Sequence, residues 1–165
     1  FKAGQAAIAL SAFTQALDYF RNAIALVDDP WTKNYEISII LHTEYAACLY
    51  CTGNLDESQK HSEIVLEHAR TIREKESSYI NMIALLKAKG ELEQALQVGC
   101  DFLAKLDEPF SLKPSKMKIM NEKKITTKRL KDITDEQLMA LPKCTDPSKA
   151  TACYVLGMLF GPLVH

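Results

Sequence analysis

Apolar residues recur three and four positions apart along most of this chain, the spacing of one face of an α-helix. Over 13–27, Phe13, Ala16, Leu17, Phe20, Ala23, Ile24 and Val27 fall on one side and mostly polar residues on the other. The same periodicity predicts helices over about 2–10, 32–51, 55–72, 76–89 and 92–106, the one over 76–89 starting near Ser77-Ser78. Asp28-Asp29-Pro30-Trp31 breaks the pattern after Val27, and Pro109 and Pro114 forbid regular helix between them. Beyond that linker, 115–131 reads as a less periodic helix. Thr134-Asp135-Glu136-Gln137 fits a capping box for a short helix ending at Pro142. Asp146-Pro147 supplies an N-cap and a first-turn proline for a last helix over about 147–160. The class is therefore all-α, with about eight helices.

A two-helix unit repeats. Gly53-Asn54-Leu55-Asp56-Glu57-Ser58 matches Gly90-Glu91-Leu92-Glu93-Gln94-Ala95, and the two glycines lie 37 residues apart. Glycine closes a helix there because it takes the left-handed conformation without a Cβ penalty. Leu55 and Leu92 then pack under the hairpin, and the small Ser58 and Ala95 fall where the second helix crosses the first. A third copy runs through Phe13-Thr14-Gln15-Ala16, with Ser11 in place of the glycine. Ala16, Gly53, Leu55, Ser58, Gly90, Leu92 and Ala95 are thus the residues expected to set the packing. Residues 1–107 are read as antiparallel hairpins, 108–114 as a proline-containing linker, and 115–165 as further helices continuing the stack, truncated at the C-terminus.

These turns resemble tetratricopeptide repeats (TPRs), although 37 residues exceeds the usual repeat of about 34 and Ser62 and Gly99 stand where a bulky residue is common. A longer pattern is similar to one group of large multidomain signalling proteins. It comprises Ala16-Leu17-Asp18-Tyr19-Phe20, Trp31, Tyr35-Glu36 and Glu44 through Gly53, then Leu138 through Leu141-Pro142, Thr145-Asp146-Pro147, Leu156 and Leu159-Phe160. The group consists of STAND-like AAA ATPases fused to serine/threonine kinase, GAF or histidine kinase domains. The resemblance implies a TPR-like α-α superhelix after the nucleotide-binding module, acting as a scaffold or regulatory region.

Composition narrows the picture. Hydrophobic residues make up 47% and charged residues 25%, with only six glycines and six prolines, which suits a packed helical chain. No run of 18 apolar residues exists to span a bilayer. Position 1 is Phe, and no signal or transit peptide is visible, so the chain reads as a piece of a longer cytoplasmic protein. Five cysteines, scattered through apolar stretches, fit free thiols in a reducing compartment.

Chemical motifs are few. No glycine is followed by lysine, so no phosphate loop is present. Cys48-x2-Cys51 needs two further zinc ligands, and His61 and His68, seven residues apart on one helix, are separated by about 10.5 Å. His42 lies on an apolar helix with no assignable nucleophile beside it. Gly157-x3-Gly161 matches a helix-dimer motif only outside its proper apolar context, and Gly161-Pro162 is expected to end the last helix. No catalytic, cofactor or metal site is assigned. The strongest charge feature is 113–131, where eight cations face one acid, Glu122. That local +7 in a chain of net −1 leaves −8 elsewhere. The plain reading of this stretch is a solvated helix face and loop; the functional reading makes Lys116, Lys123, Lys124, Lys128 and Arg129 candidates for docking an acidic partner, a phosphorylated segment or nucleic acid. Nucleic acid is the weaker choice because no aromatic residue in 113–131 could stack on bases.

The expected function is a non-catalytic interaction scaffold whose partner is a protein or a neighbouring domain, and not a membrane. The alternatives are a stand-alone peptide-binding TPR adaptor and an enzyme with an unrecognised Cys/His site.

Overall fold

The structure is a computed structural model that describes residues 1–163, with side chains through Phe160. Among the described residues it contains nine α-helices: α1 (Lys2–Ala9), α2 (Phe13–Ala25), α3 (Tyr35–Cys51), α4 (Leu55–His68), α5 (Ile72–Ala88), α6 (Leu92–Lys105), α7 (Lys116–Leu130), α8 (Asp135–Met139) and α9 (Pro147–Leu163). The chain is all-helical.

From α1 to α6 each helix packs against the next, and α9 takes the following place against α6. Odd-numbered helices also touch one another, α3 with α5 and α5 with α9. Two core clusters mark the ends. Phe20, Leu41, Tyr45 and Leu49 fill the first, and Ile83, Phe102, Leu103, Val155 and Leu159 fill the second.

The hairpin turns share one hydrogen-bond pattern. Gly53 and Gly90 have φ of 80° and 79°. The Gly53 N–H donates to the Tyr50 carbonyl and the Asn54 N–H to Leu49, with Gly90 on Lys87 and Glu91 on Leu86 repeating the pair. These are Schellman closures, which satisfy carbonyls that the helix end would orphan. Ser11, at φ 56°, makes the same closure on Ile8 and Ala7. Asp107, at φ 63°, makes a fourth that the sequence did not announce.

Two adjoining boundaries fall about four residues earlier than expected. The fourth helix stops at His68 rather than near 72, and α5 begins at Ile72 rather than 76. The cause is a capping box: Thr71 accepts from the Glu74 N–H, and Glu74 accepts from the Thr71 N–H at 2.8 Å. The Glu74 carboxylate also receives the Tyr35 hydroxyl at 3.0 Å and the Arg70 N–H at 2.9 Å, while the Arg70 guanidinium covers the Tyr35 ring. This network ties the start of α3 to the start of α5. Backbone donors to the carboxylate, that of Thr71 first, lower the Glu74 pKa.

The last helix does not end at Gly161-Pro162 but runs to Leu163. Proline in a final turn forfeits one N–H, the partner of the Met158 carbonyl four residues back. Lys87 Nζ donates to that carbonyl instead. Position 161 of the Gly157-x3-Gly161 pair has no described side-chain surroundings.

Of the helices after Pro114, α9 is part of the packed body, whereas α7 and α8 bury no residue. Every residue from Asp107 to Pro147 is exposed.

The hairpin register has a direct test. Ala95 is completely buried, while Gln94, about 100° round the helix, is exposed. Ala95→Leu is expected to lower stability by about 1–3 kcal/mol through overpacking, with Gln94→Leu close to neutral. Urea unfolding midpoints of the two variants would show it, and the reverse order would place the seam one residue away.

Candidate functional site

Three places combine chemistry-bearing side chains with a defined geometry: the helix seams, a histidine–tryptophan pocket, and the basic helix α7.

At the seams, Ala16, Ser58 and Ala95 are fully buried. Leu55 and Leu92 are half-buried, with Leu55 against the Met82, Leu85, Leu86 and Ala95 cluster. Ser58 does more than keep the crossing narrow. Its hydroxyl donates to the Ala46 carbonyl of α3 at 2.8 Å and accepts from Asn81 Nδ2 of α5 at 2.9 Å. Asn81 donates equally to Ser62. Ser62, where a bulky residue is common, is therefore one end of a buried polar clasp joining α4 to α5. The Ser78 hydroxyl is buried without a partner.

Gly99, the other unexpectedly small position, seats α9. A Cβ there would come within 2.6 Å of Leu159 Cδ1 and 3.0 Å of its Cγ. The bulk that the hairpin itself lacks is delivered from α9. Thr151 Oγ1, which donates to Glu76 Oε1 at 2.7 Å, anchors the same helix to α5.

The histidines gather at a place where no partner is assignable from sequence. His42 of α3 and His61 of α4 meet through their Nδ1 atoms at 2.8 Å, so one ring donates and the other accepts. Trp31 stacks on His68 with centroids 3.9 Å apart and lies 5.4 Å from His42. His68 Nδ1 donates to the Ile64 carbonyl at 3.0 Å. Burial, then the neighbouring charges of His61 and His68, pushes the His42 pKa down to about 4. His61 is lowered too, chiefly by burial. The adjoining cavity, lined by Ile24, Val27, Trp31, Leu41, His42 and His68, holds about 200 Å³. Ligand sites usually offer about 300–1,000 Å³, so this one is small even for a compact ligand. Nineteen residues separate His42 from His61, and nothing in either helix alone signals the pairing.

The thiols lie elsewhere. All five cysteines are free. Cys48 is buried among Leu41, Tyr45 and Leu49, and burial raises its pKa to about 11, far from thiolate chemistry at neutral pH. Cys51, one helical turn on, is exposed. Among the described residues no three His, Cys, Asp or Glu side chains converge on a metal position.

The docking candidates Lys116, Lys123, Lys124, Lys128 and Arg129 are all exposed on α7. Helical spacing places the four lysines on one side, with Lys131, and Arg129 on the opposite side. Met120, Lys123, Lys124, Thr127, Lys128 and Lys131 line a shallow trough along that side.

No helix is long and apolar enough to cross a membrane among the described residues. No family model matches the chain, and no curated protein or solved structure matches it.

Proposed function

We propose that this chain is a non-catalytic interaction and regulatory scaffold, a TPR-like α-α superhelix serving a larger ATPase–kinase signalling protein. The observation that supports this reading most is the order of packing. Helices α1–α6 and α9 each bury their apolar stripe against a neighbour, with small residues at the crossings of α2, α4 and α6. In such a stack the helices contact only near neighbours, so a displacement at one end passes along it. Its role would be positional, holding or restraining the domains on either side.

The peptide-binding adaptor reading fits less well. Such a groove presents polar and basic side chains on the first helices of successive hairpins. Here Leu41, Tyr45 and Leu49 of α3 and Met82 and Leu86 of α5 are buried in the seams. The enzyme reading would need a thiol and an imidazole in one pocket, but His42 is partnered by His61, and Cys48 lies among leucines.

The expected result is that the chain neither binds nor hydrolyses ATP. Saturable binding of labelled ATP at micromolar concentration, or phosphate release above background, would defeat the non-catalytic reading. The sequence flanking this chain in its gene tests the larger claim: a phosphate loop upstream and a kinase-like region downstream are expected.

A further inference from the structure

The helix α7 is out of place in an economical fold. It has fifteen residues, and none of them is buried. An isolated helix of that length is marginal in water unless something supports it. Its own sequence opposes it: Lys124 and Lys128 stand one turn apart, as do Lys128 and Lys131, and like charges at these spacings repel. Among the described residues none of its cations is in an ion pair. Ser115 caps the N-terminus by accepting from the Lys118 N–H, but this is one local bond.

The charge is ordered. Lys116, Met120, Lys123, Lys124, Thr127, Lys128 and Lys131 recur at three- and four-residue steps and form one side. The row extends about 22 Å. Glu122, the lone acid, falls on the far side with Lys118 and Arg129. The row is uncompensated over its whole length.

We propose that this lysine row is a docking surface for an acidic protein segment, in which carboxylates at helical spacing face the lysines and cover Met120 and Thr127. Three observations favour a protein over other polyanions. The row holds lysines alone, without the arginine fork that grips phosphates in pairs. No aromatic side chain in 113–131 could stack on a base. The rest of the chain carries −8, which disfavours a long polyanion more than a short acidic segment. A membrane surface fits no better, because Met117, Ile119, Ile125 and Leu130 are spread around the helix instead of forming one apolar face. The proposal goes beyond the scaffold reading, which concerns the stack, and holds or fails separately from it.

The test uses the whole 165-residue chain. The probe is a fluorescein-labelled helical peptide of about 18 residues with glutamates three and four apart on one face, titrated by anisotropy in salt of about 150 mM. Saturable one-to-one binding is expected. Lys124→Glu with Lys128→Glu should weaken it by about tenfold or more, whereas Lys118→Glu with Arg129→Glu, the same change in charge on the other side, should weaken it by less than about threefold. Unchanged thermal melting of both variants would show that the stack is intact. No saturable binding, or equal weakening by the two pairs, would overturn the proposal. So would tighter binding to a duplex of about 20 base pairs or to phosphatidylserine vesicles. Self-association of the chain alone that the row variant abolishes would assign the surface to a second copy and overturn it as well.

Discussion

Leu159→Ala is expected to lower the stability of this chain by about 2–5 kcal/mol, the range for truncating a buried leucine. Leu159 is completely buried among Ile83, Phe102, Leu103 and Val155. Its partner across the interface is the bare backbone of Gly99, which makes a second, sign-changing result accessible. In the parent sequence Gly99→Ala gains about 1 kcal/mol of helix propensity but drives a Cβ to 2.6 Å from a methyl and 3.0 Å from Cγ of the fully buried Leu159. The net should be destabilising, because overpacking costs about 1–3 kcal/mol. In the Leu159→Ala background the clash is gone, the propensity remains, and the new methyl fills part of the cavity. There Gly99→Ala should stabilise. Urea unfolding of the four proteins measures the coupling directly. Additive effects would mean that Gly99 is not the seat of Leu159 and that α9 is held by the rest of its contacts, Val155 in the core and Thr151 on Glu76.

That interface shows what a single sequence can and cannot convey. Gly53 and Gly90 were readable because left-handed closure by glycine is a local rule, and the leucine two residues on repeats with it. Ser11 was readable only by analogy with them. Asp107 was not, since an aspartate before Glu108-Pro109 reads equally well as a plain linker. The Thr71–Glu74 capping box was in the sequence, but Ser77-Ser78 competed for the same start, and Ser78 turned out to be a buried residue within α5. Gly99 and Ser62 read as departures from a repeat because their compensation is non-local. Leu159 lies sixty residues beyond the first, and Asn81 reaches the second from another helix. The His42–His61 contact belongs to the same class. Periodicity places each ring on a helix face but does not say which faces meet.

The polar contacts between helices follow the same logic. Ser58, Ser62 and Asn81 form one clasp between α4 and α5, and Tyr35, Glu74 and Arg70 form another at the start of α5. Each joins an α3 or α4 position to α5, so α5 is fixed at two heights. Apolar stripes alone would let the helices slide by a turn, whereas paired donors and acceptors accept one register. On the proposed scaffold reading, that fixed register matters more than added stability.

The histidine pair makes the fold sensitive to acid, and the direction follows from the shifts. A histidine held below its ordinary pKa of ~6.5 binds a proton more readily in the unfolded chain than in the fold. Stability is therefore complete above ~6.5, declines as the pH falls, and levels off below the folded value, about 4 for His42. The slope approaches about 1.4 kcal/mol per pH unit for one such group. At pH 5 the loss from His42 should be about 1–2 kcal/mol, discounted for the part of the ring that water reaches. His61 adds in the same direction, because burial lowers it too; Glu57 opposes that shift, and Lys60 reinforces it. Two protonated rings cannot keep Nδ1 atoms 2.8 Å apart, so the contact itself should open. Asp56 and Glu74, whose pKa values the fold depresses, also cost stability on acidification, but only as the pH falls below ~4.5, so the window from pH 7 to 5 isolates the histidines. The reporter is built in, since Trp31 is the single tryptophan and lies against His68 and His42. Its emission should change over the same window in which the urea midpoint falls. His42→Phe with His61→Phe should flatten both curves between pH 7 and 5. An unchanged slope in that double variant would show that the acid sensitivity arises elsewhere and that the histidine contact contributes packing alone.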